Sequence, residues 1–364
     1  MKLVIVSNMY PDSKHPSYGI FVKKFCDQLD IAGIKYKKCV MLFSDSKIGK
    51  AKNYFLFYVK TVLKLLFGTY EIVYVHYASH SSIPVLIANK MRKKPIYTNV
   101  HGSDVVPENS KQEKLQKYTI AILGKSEKIV VPSEYFKKYV SQKYRLQTET
   151  IYVYPSAGVN HNVFHPLSIE NKRNLKEKYG LDKRHLNFGM AGRISKDKGW
   201  DTYIEAVSKS ISKGIKANYI LVGCGPEEKE LEQLIRKNKL EDVICRVGLL
   251  PQKELALFYG LIDYFIFPTK REGESLGLVA IEAMSCGIPV VSSSYAAPDY
   301  YVHDGINGYK FPVGNSNELS KIMVRLTETH NMENYNELSR GAQNTAKEYY
   351  EQNIMDKLKA IFET

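Results

Sequence analysis

Arg193 and Lys198, in the run AGRISKDKG, and Glu274 and Glu282, in REGESLGLVAIEAMSCGIPVV, are the residues of this chain whose types and spacing best suit chemistry. Arg offers phosphate oxygens a planar bidentate fork and Lys a mobile point charge, so the first pair suits a diphosphate. The two carboxylates can accept from hydroxyls, those of a sugar and of a ribose. From Gly277 the run LVAIEAMSCG reads as a helix that ends before Gly287 and Pro289. That places Glu274 in the loop above the helix N-terminus and Glu282 in its second turn, among Ile281, Ala283 and Met284. A carboxylate with such neighbours needs a partner, and either ribose hydroxyls or a salt bridge from elsewhere in the chain would serve.

These side chains must be carried by elements, and the sequence supplies two series of them. Short β-branched runs alternate with helical stretches, the pattern of parallel βαβ construction. The first series has candidate strands at 3–7, 36–42, 72–76, 96–100, 128–131 and 150–153, with a helix over Gly19 to Leu29. A second series follows at 186–189, 217–222, 243–246, 264–267, 290–292 and 309–311. Two sheets in succession imply two Rossmann-like domains facing each other across a cleft, with a linker over 156–171. We set the boundaries at 1–165, 166–342 and a last helix, 343–364, that returns to the first domain.

Ligands of such folds gather at the carboxyl ends of the strands. After the first strand, NMYPDSKHPSYGIF closes with Gly19 at a helix start, where amides and the helix dipole can meet a phosphate. After the fourth comes His101, next to Gly102, well placed to bond a sugar hydroxyl or a phosphate oxygen. Asp104 either caps the following helix or holds the acceptor. In the second half, Gly223 within VGCGP can bring backbone close to a nucleotide.

Formal net charge is +14, and its distribution narrows the partners. Residues 1–165 carry 25 Lys plus Arg against 11 Asp plus Glu, whereas the remainder carries 27 of each. Such asymmetry marks a surface that meets a polyanion or an anionic membrane. In KAKNYFLFYVKTVLKLLF, residues 50–67, Lys52, Lys60 and Lys64 fall at multiples of four among aromatic and aliphatic neighbours. A helix of this kind either packs on the sheet with solvated lysines or lies in a lipid interface. No zinc finger, recognition helix or aromatic-basic ribonucleoprotein motif accompanies the charge, which argues against nucleic acid. The five cysteines have no CxxC spacing and read as small buried hydrophobes of a reducing compartment. MKLVIVSNMY is too short for a signal peptide and reads as a buried strand, and no stretch is apolar enough to span a bilayer. The expected location is the cytoplasm, peripheral to the membrane.

Arg193, Lys198, Glu274 and Glu282, with seven residues between the two glutamates, resemble the pattern of the retaining glycosyltransferases of family 4, which have the two-lobed GT-B fold. HGSD at 101–104, PSAGVNHNVF at 155–164, VGCGP at 222–226, EAMSCGIPVV at 282–291 and DGINGY at 304–309 resemble it too. The resemblance implies that Arg193 and Lys198 grip the donor diphosphate, that Glu282 accepts from ribose hydroxyls and that Glu274 holds the donor sugar, with Leu276, Gly277 and Leu278 beside it. It implies that His101 contacts the sugar on the acceptor side, that Gly19 lets the first-domain loop close over the phosphates, and that no catalytic metal takes part. Ser275 and Leu276 stand where the family usually carries Gly and Phe, which bears on the choice of sugar. The expected reaction is transfer of a sugar, with retention, from a UDP- or GDP-sugar to a glycan carried on a polyprenyl diphosphate, in assembly of a capsule, O-antigen or exopolysaccharide. The alternatives are a nucleotide-sugar epimerase of the same fold and a non-catalytic glycan- or lipid-binding protein. A dinucleotide oxidoreductase is disfavoured because no GxGxxG follows the first strand.

Overall fold

The computed structural model describes residues 1–363. The chain divides into two compact units, Met1–Ala157 with the segment from Ile354 onward, and Gly158–Asn353.

In the first unit the order is β1 (Lys2–Ser7), α1 (Ile20–Ile31), β2 (Lys35–Val40), α2 (Lys47–Phe67), β3 (Ile72–His76), α3 (Ser82–Met91), β4 (Ile96–Asn99), α4 (Ser110–Leu123), β5 (Lys128–Val131), α5 (Glu134–Tyr144) and β6 (Ile151–Val153). The strands form one sheet in the order β2-β1-β3-β4-β5-β6, and every registered pair is parallel. β1 lies between β2 and β3, with Leu3 opposite both Tyr36 and Ile72. It is buried on both faces, which is why KLVIVS shows no polar alternation. β2 is an edge strand, and its exposed lysines 35, 37 and 38 suit that position. On one face, α1 lays Val22, Phe25, Cys26 and Leu29 against Leu3, Ile5 and Tyr74. Each large apolar side chain so buried contributes roughly 1.5–3 kcal/mol. The other face carries Val4, Val6, Phe57 of α2 and Phe136 of α5.

The second unit runs α6 (Ile169–Lys178), β7 (Asn187–Ala191), α7 (Trp200–Ser212), β8 (Asn218–Val222), α8 (Glu228–Lys237), β9 (Ile244–Val247), α9 (Gln252–Leu261), β10 (Tyr264–Phe267), α10 (Leu278–Ser285), β11 (Val290–Ser293), α11 (Pro298–Tyr301), β12 (Gly308–Phe311), α12 (Ser316–Glu328) and α13 (Met332–Lys347). Its sheet has the order β12-β11-β10-β7-β8-β9, again parallel. Two cores cover its faces, one around Tyr203, Tyr219 and Leu231, the other around Phe164, Tyr259 and Ile281.

Each expected strand is present, its ends at most two residues from those expected. The unit boundaries fall elsewhere than at 165 and 343. Val159 pairs with Tyr350, and Phe164 is buried with Tyr259, so residues from Gly158 belong with the second sheet. The expected C-terminal helix is two helices, α13 ending at Lys347 and α14 (Met355–Phe362). α13 packs Ala342 and Ala346 into the second core, while α14 returns to the first unit, where Phe362 rests on Tyr74 and Tyr97.

α2 starts three residues before the expected stretch, capped by Ser46, whose hydroxyl accepts from the Gly49 amide. It buries Phe57, Thr61 and Leu65 toward the sheet and exposes Ile48, Phe55, Leu56, Val59, Leu63 and Phe67. At 100° per residue these six form one stripe, with Lys52 inside it and Lys60 and Lys64 along one border. Among the described residues, no helix is long and apolar enough to cross a membrane.

Candidate active site

In the second unit, the strand ends carry the four charged residues. β7 ends at Ala191, and the chain continues through Gly192 and Arg193 into the single 3-10 turn Lys196–Lys198 before α7. This loop is zipped to the one after β8: the Gly192 amide donates to the Val222 carbonyl at 3.1 Å and the Ile194 amide to the Cys224 carbonyl at 3.1 Å. Gly223 permits that approach, since a Cβ there would lie 1.9 Å from the Gly192 oxygen. Its φ of 129° is also one that side-chain-bearing residues avoid. Ile194 is fully buried and anchors the loop, which leaves the Arg193 side chain exposed and without an ion pair among the described residues.

The same loop is fastened on its other side to the segment after β10. The Lys270 amide donates to the Asp197 carbonyl at 2.8 Å. Gly199, left-handed at φ 73°, packs so closely on Pro268 that a Cβ would meet its carbonyl oxygen at 1.8 Å. With the two segments locked, the Lys198 ammonium meets a Glu274 oxygen at 2.5 Å. Glu274 is 7% exposed, and the same oxygen accepts from the Thr269 hydroxyl at 3.3 Å.

Glu274 also stands four residues before α10. Gly277 is left-handed at the helix start, and the Tyr301 hydroxyl donates to the Leu276 carbonyl at 3.0 Å. The amides of Leu276, Gly277, Leu278 and Val279 have no acceptor among the described residues. Free amides at the positive end of a helix, next to a lysine, form an anion site. The Leu276 side chain is buried, so what this residue can offer a ligand is its backbone. Glu282, half-buried in α10, accepts from the Tyr259 hydroxyl at 3.4 Å. Burial, with Glu282 close by, pushes the Tyr259 hydroxyl far above its usual range, so it remains a donor.

The first unit places Gly19 and His101 at the carboxyl end of its sheet. Gly19, buried and left-handed, heads α1. Half-buried His101 packs against Phe21 of α1, ring centroids 4.2 Å apart, and its Nε2 lies 3.0 Å from Nδ1 of His76. Asp104 corrects the acceptor-side expectation. It is fully buried, with one oxygen accepting from the His101 and Gly102 amides and the other from the Ala78 amide. Its carboxylate is consumed in holding the loop that carries His101, and no face is left for an acceptor.

Sequence reasoning missed His76, Thr269 and Tyr259. His76 ends β3, as His101 follows β4, and the pairing of those adjacent strands was the available signal. Its Nε2 is buried without a partner. A buried N–H left unpaired is costlier than a bare acceptor, so the proton belongs on Nδ1, which then donates to His101 Nε2. His101 in turn carries its proton on Nδ1. Burial lowers the affinity of both rings for a second proton, His101 to about 3, and His101 lowers His76 further. Both rings are therefore neutral at pH 7. In the unfolded chain they take up protons near pH 6.5, so this contribution to stability is complete above that pH and is lost as pH falls toward 3. Thermal unfolding followed from pH 7 to 4 should show a steeper loss in the native chain than in His76→Phe, and parallel curves would refute the neutral pair.

Two parallel-sheet domains in succession, with their polar residues gathered at the strand ends, make this a GT-B-fold protein related to the glycosyltransferases. Residues 171–345 match the family model described as glycosyl transferases group 1, and residues 40–159 the model described as Glycosyltransferase Family 4. An uncharacterised glycosyltransferase of Methanocaldococcus jannaschii is 27% identical over 260 residues, 70% of this chain and 65% of that protein. The amylovoran biosynthesis glycosyltransferase AmsK of Erwinia amylovora is 30% identical over 161 residues, 43% of this chain and 39% of that protein. The chain thus spans less than two thirds of the length of either relative. Among solved structures, Anabaena HepE in complex with UDP superposes with a TM-score of 0.77 at 18% identity, covering 100% of this chain and 99% of the other, which establishes the fold.

Proposed function

We propose that the protein is a retaining glycosyltransferase that moves a sugar from a nucleoside diphosphate to a glycan. The observation that carries this reading is the junction of Lys198 and Glu274 beside the unpaired amides that open α10, with Arg193 unpaired on the same loop as Lys198. The Lys198 ammonium is held by Glu274. A bound diphosphate competes for the ammonium, freeing Glu274 to accept from hydroxyls of the sugar, while Glu282 accepts from those of the ribose. The C-terminal unit is thus the donor domain, and the N-terminal unit supplies the acceptor side with His101 as an Nδ1–H donor.

In the reaction the bond from the anomeric carbon to the diphosphate oxygen breaks as the acceptor oxygen bonds to the same carbon. Negative charge grows on the leaving diphosphate, where Arg193, Lys198 and the α10 amides stabilise it. Approach from the face the diphosphate leaves retains configuration, and a leaving oxygen takes the acceptor proton. Glu274 needs no covalent bond to the sugar, unlike the nucleophile of retaining glycosidases.

The UDP bound by HepE supports a uridine donor, and the amylovoran assignment of AmsK supports a role in surface polysaccharide assembly. A polyprenyl diphosphate carrier at the inner face of the cell membrane fits the charge excess of the first half and the exposed stripe of α2. A panel of UDP- and GDP-sugars tests the donor: one of them should raise the unfolding temperature and be slowly hydrolysed, and no response to any sinks the reading. Changing Lys52, Lys60 and Lys64 together to Glu should reduce sedimentation with anionic vesicles, and undiminished binding would remove α2 as the membrane contact.

A further inference from the structure

A groove runs between α2 and the outer edge of β2, away from every residue proposed to hold the donor. One part, a cavity of about 740 Å³, is lined by Cys39, Val40, Phe57, Leu63 and Phe67, with Lys60 and Lys64 at its side. A second part, about 360 Å³, is lined by Asp12, Phe43, Asn53 and Leu56. The two share Val40, Phe57 and Lys60, so they are successive stretches of one groove. We infer that this groove binds a single lipid diphosphate, with the diphosphate at Lys60 and Lys64 and the hydrocarbon chain running toward Phe67.

Four observations point to that occupant and to its direction. The larger part, about 740 Å³, lies within the range of small-molecule sites, about 300–1,000 Å³. Lys60 and Lys64 form no ion pair among the described residues, so two positive charges border the channel, with Asp12 a lining residue of its second part. Beyond them the walls are apolar and turn outward: Leu63 is 51% exposed and Phe67 80%. From Lys60 to Phe67 the helix advances only roughly 10 Å. A long chain would therefore fill the channel with its first part and leave past Phe67, where α2 and its exposed stripe end. The opposite end adds two polar residues, Asp12 and Asn53, to apolar walls, and lies at the carboxyl end of β2, the end of the sheet where Gly19 and His101 also stand. A glycan attached to the diphosphate would leave the groove on that side.

An extended peptide added to the open edge of β2 is the competing occupant. Lys35 and Lys37 on that edge oppose strand addition, as edge lysines commonly do. Lys38 takes no part in the charge argument, because its ammonium turns away to the Tyr10 hydroxyl at 3.0 Å.

This site deepens the transferase reading by placing its acceptor carrier, and the experiment uses no turnover, so the two can fail separately. The full chain is titrated with farnesyl diphosphate, with inorganic diphosphate and phosphatidylglycerol vesicles as the other arms. Binding is read by equilibrium dialysis and located by hydrogen exchange. Farnesyl diphosphate should bind and slow exchange at residues 38–41 and 57–67. The Lys60→Glu, Lys64→Glu double variant should bind at least about tenfold more weakly, each lost contact being a charge-assisted one. Its heat-unfolding response to nucleotide sugars should be unchanged. Equal protection by inorganic diphosphate would reduce the site to an anion patch and overturn the proposal. Protection by vesicles alone, or exchange slowed elsewhere than along the groove, would overturn it as well. A chain that binds the lipid but no nucleotide sugar would sink the transferase reading and leave the groove.

Discussion

Replacing Lys198 by Met is expected to lower the rate of the proposed sugar transfer by about 10²–10³-fold, the loss that follows when one preorganised stabiliser of a developing anion is removed. The variant also loses heat stability. Lys198 and Glu274 are 20% and 9% exposed in their side chains, so removing the ammonium leaves a nearly buried carboxylate with only the Thr269 hydroxyl as a neighbour on that oxygen. Breaking a fully buried pair from one side costs about 3–5 kcal/mol, and the exposed flank of Lys198 brings the figure here to about 1–3. The two losses come apart in the double variant Lys198→Met, Glu274→Gln. A neutral amide no longer needs the cation, so the unfolding temperature recovers while transfer does not. Recovery of both would show that the lysine serves only to neutralise Glu274, and recovery of neither would show that the lost stability does not come from an unpaired carboxylate.

Gly199→Ala has the larger effect on the fold. The new methyl group would lie 1.8 Å from the Pro268 carbonyl oxygen, in a backbone that must stay at φ 73°. Backbone on both sides leaves nothing flexible to yield, so the turn must lift off the segment after β10. The cost is about 4 kcal/mol or more, the range of rare, diagnostic substitutions. For a unit of this size that corresponds to a fall of roughly 8–16 °C in unfolding temperature. Because Lys198 immediately precedes this glycine and Glu274 follows that segment, the displacement also parts the pair. Gly214→Ala is the control: it too has positive φ, but a Cβ there meets nothing. Similar losses in the two variants would mean that φ alone, and not the contact with Pro268, sets the cost.

The residues proposed for the donor side were legible as strand-end residues because they are local. β7, the AGRISKDKG loop and α7 follow one another directly, and so do β10, the REGESLG loop and α10, so reading strands and helix starts already placed Lys198 and Glu274 at strand ends. Their meeting at 2.5 Å was not legible, since it depends on β7 and β10 being neighbours in the sheet, an order fixed by packing over the whole unit. The same holds for His76, whose role exists only because β3 and β4 pair. Asp104 was left open between two roles for a different reason. An aspartate three residues after a strand-end histidine suits a ligand and a loop clamp equally, and only the three amides around it decide the matter. The last helix was read as continuous because nothing in its 343–362 run announces a break, which is instead imposed by the pairing of Tyr350 with Val159. The groove beside α2 lies beyond periodicity altogether, since alternation of apolar and basic residues cannot separate a solvated face from one bordering a cavity.

The central claim is that Lys198 exchanges Glu274 for the donor's diphosphate. A crystal structure of the chain soaked with a UDP- or GDP-sugar that raises its unfolding temperature tests it most directly. Diphosphate oxygens are expected at the Lys198 ammonium, the Arg193 guanidinium and the amides opening α10, with Glu274 turned to sugar hydroxyls and Glu282 to the ribose. Donor density elsewhere, with Lys198 still on Glu274, would contradict it.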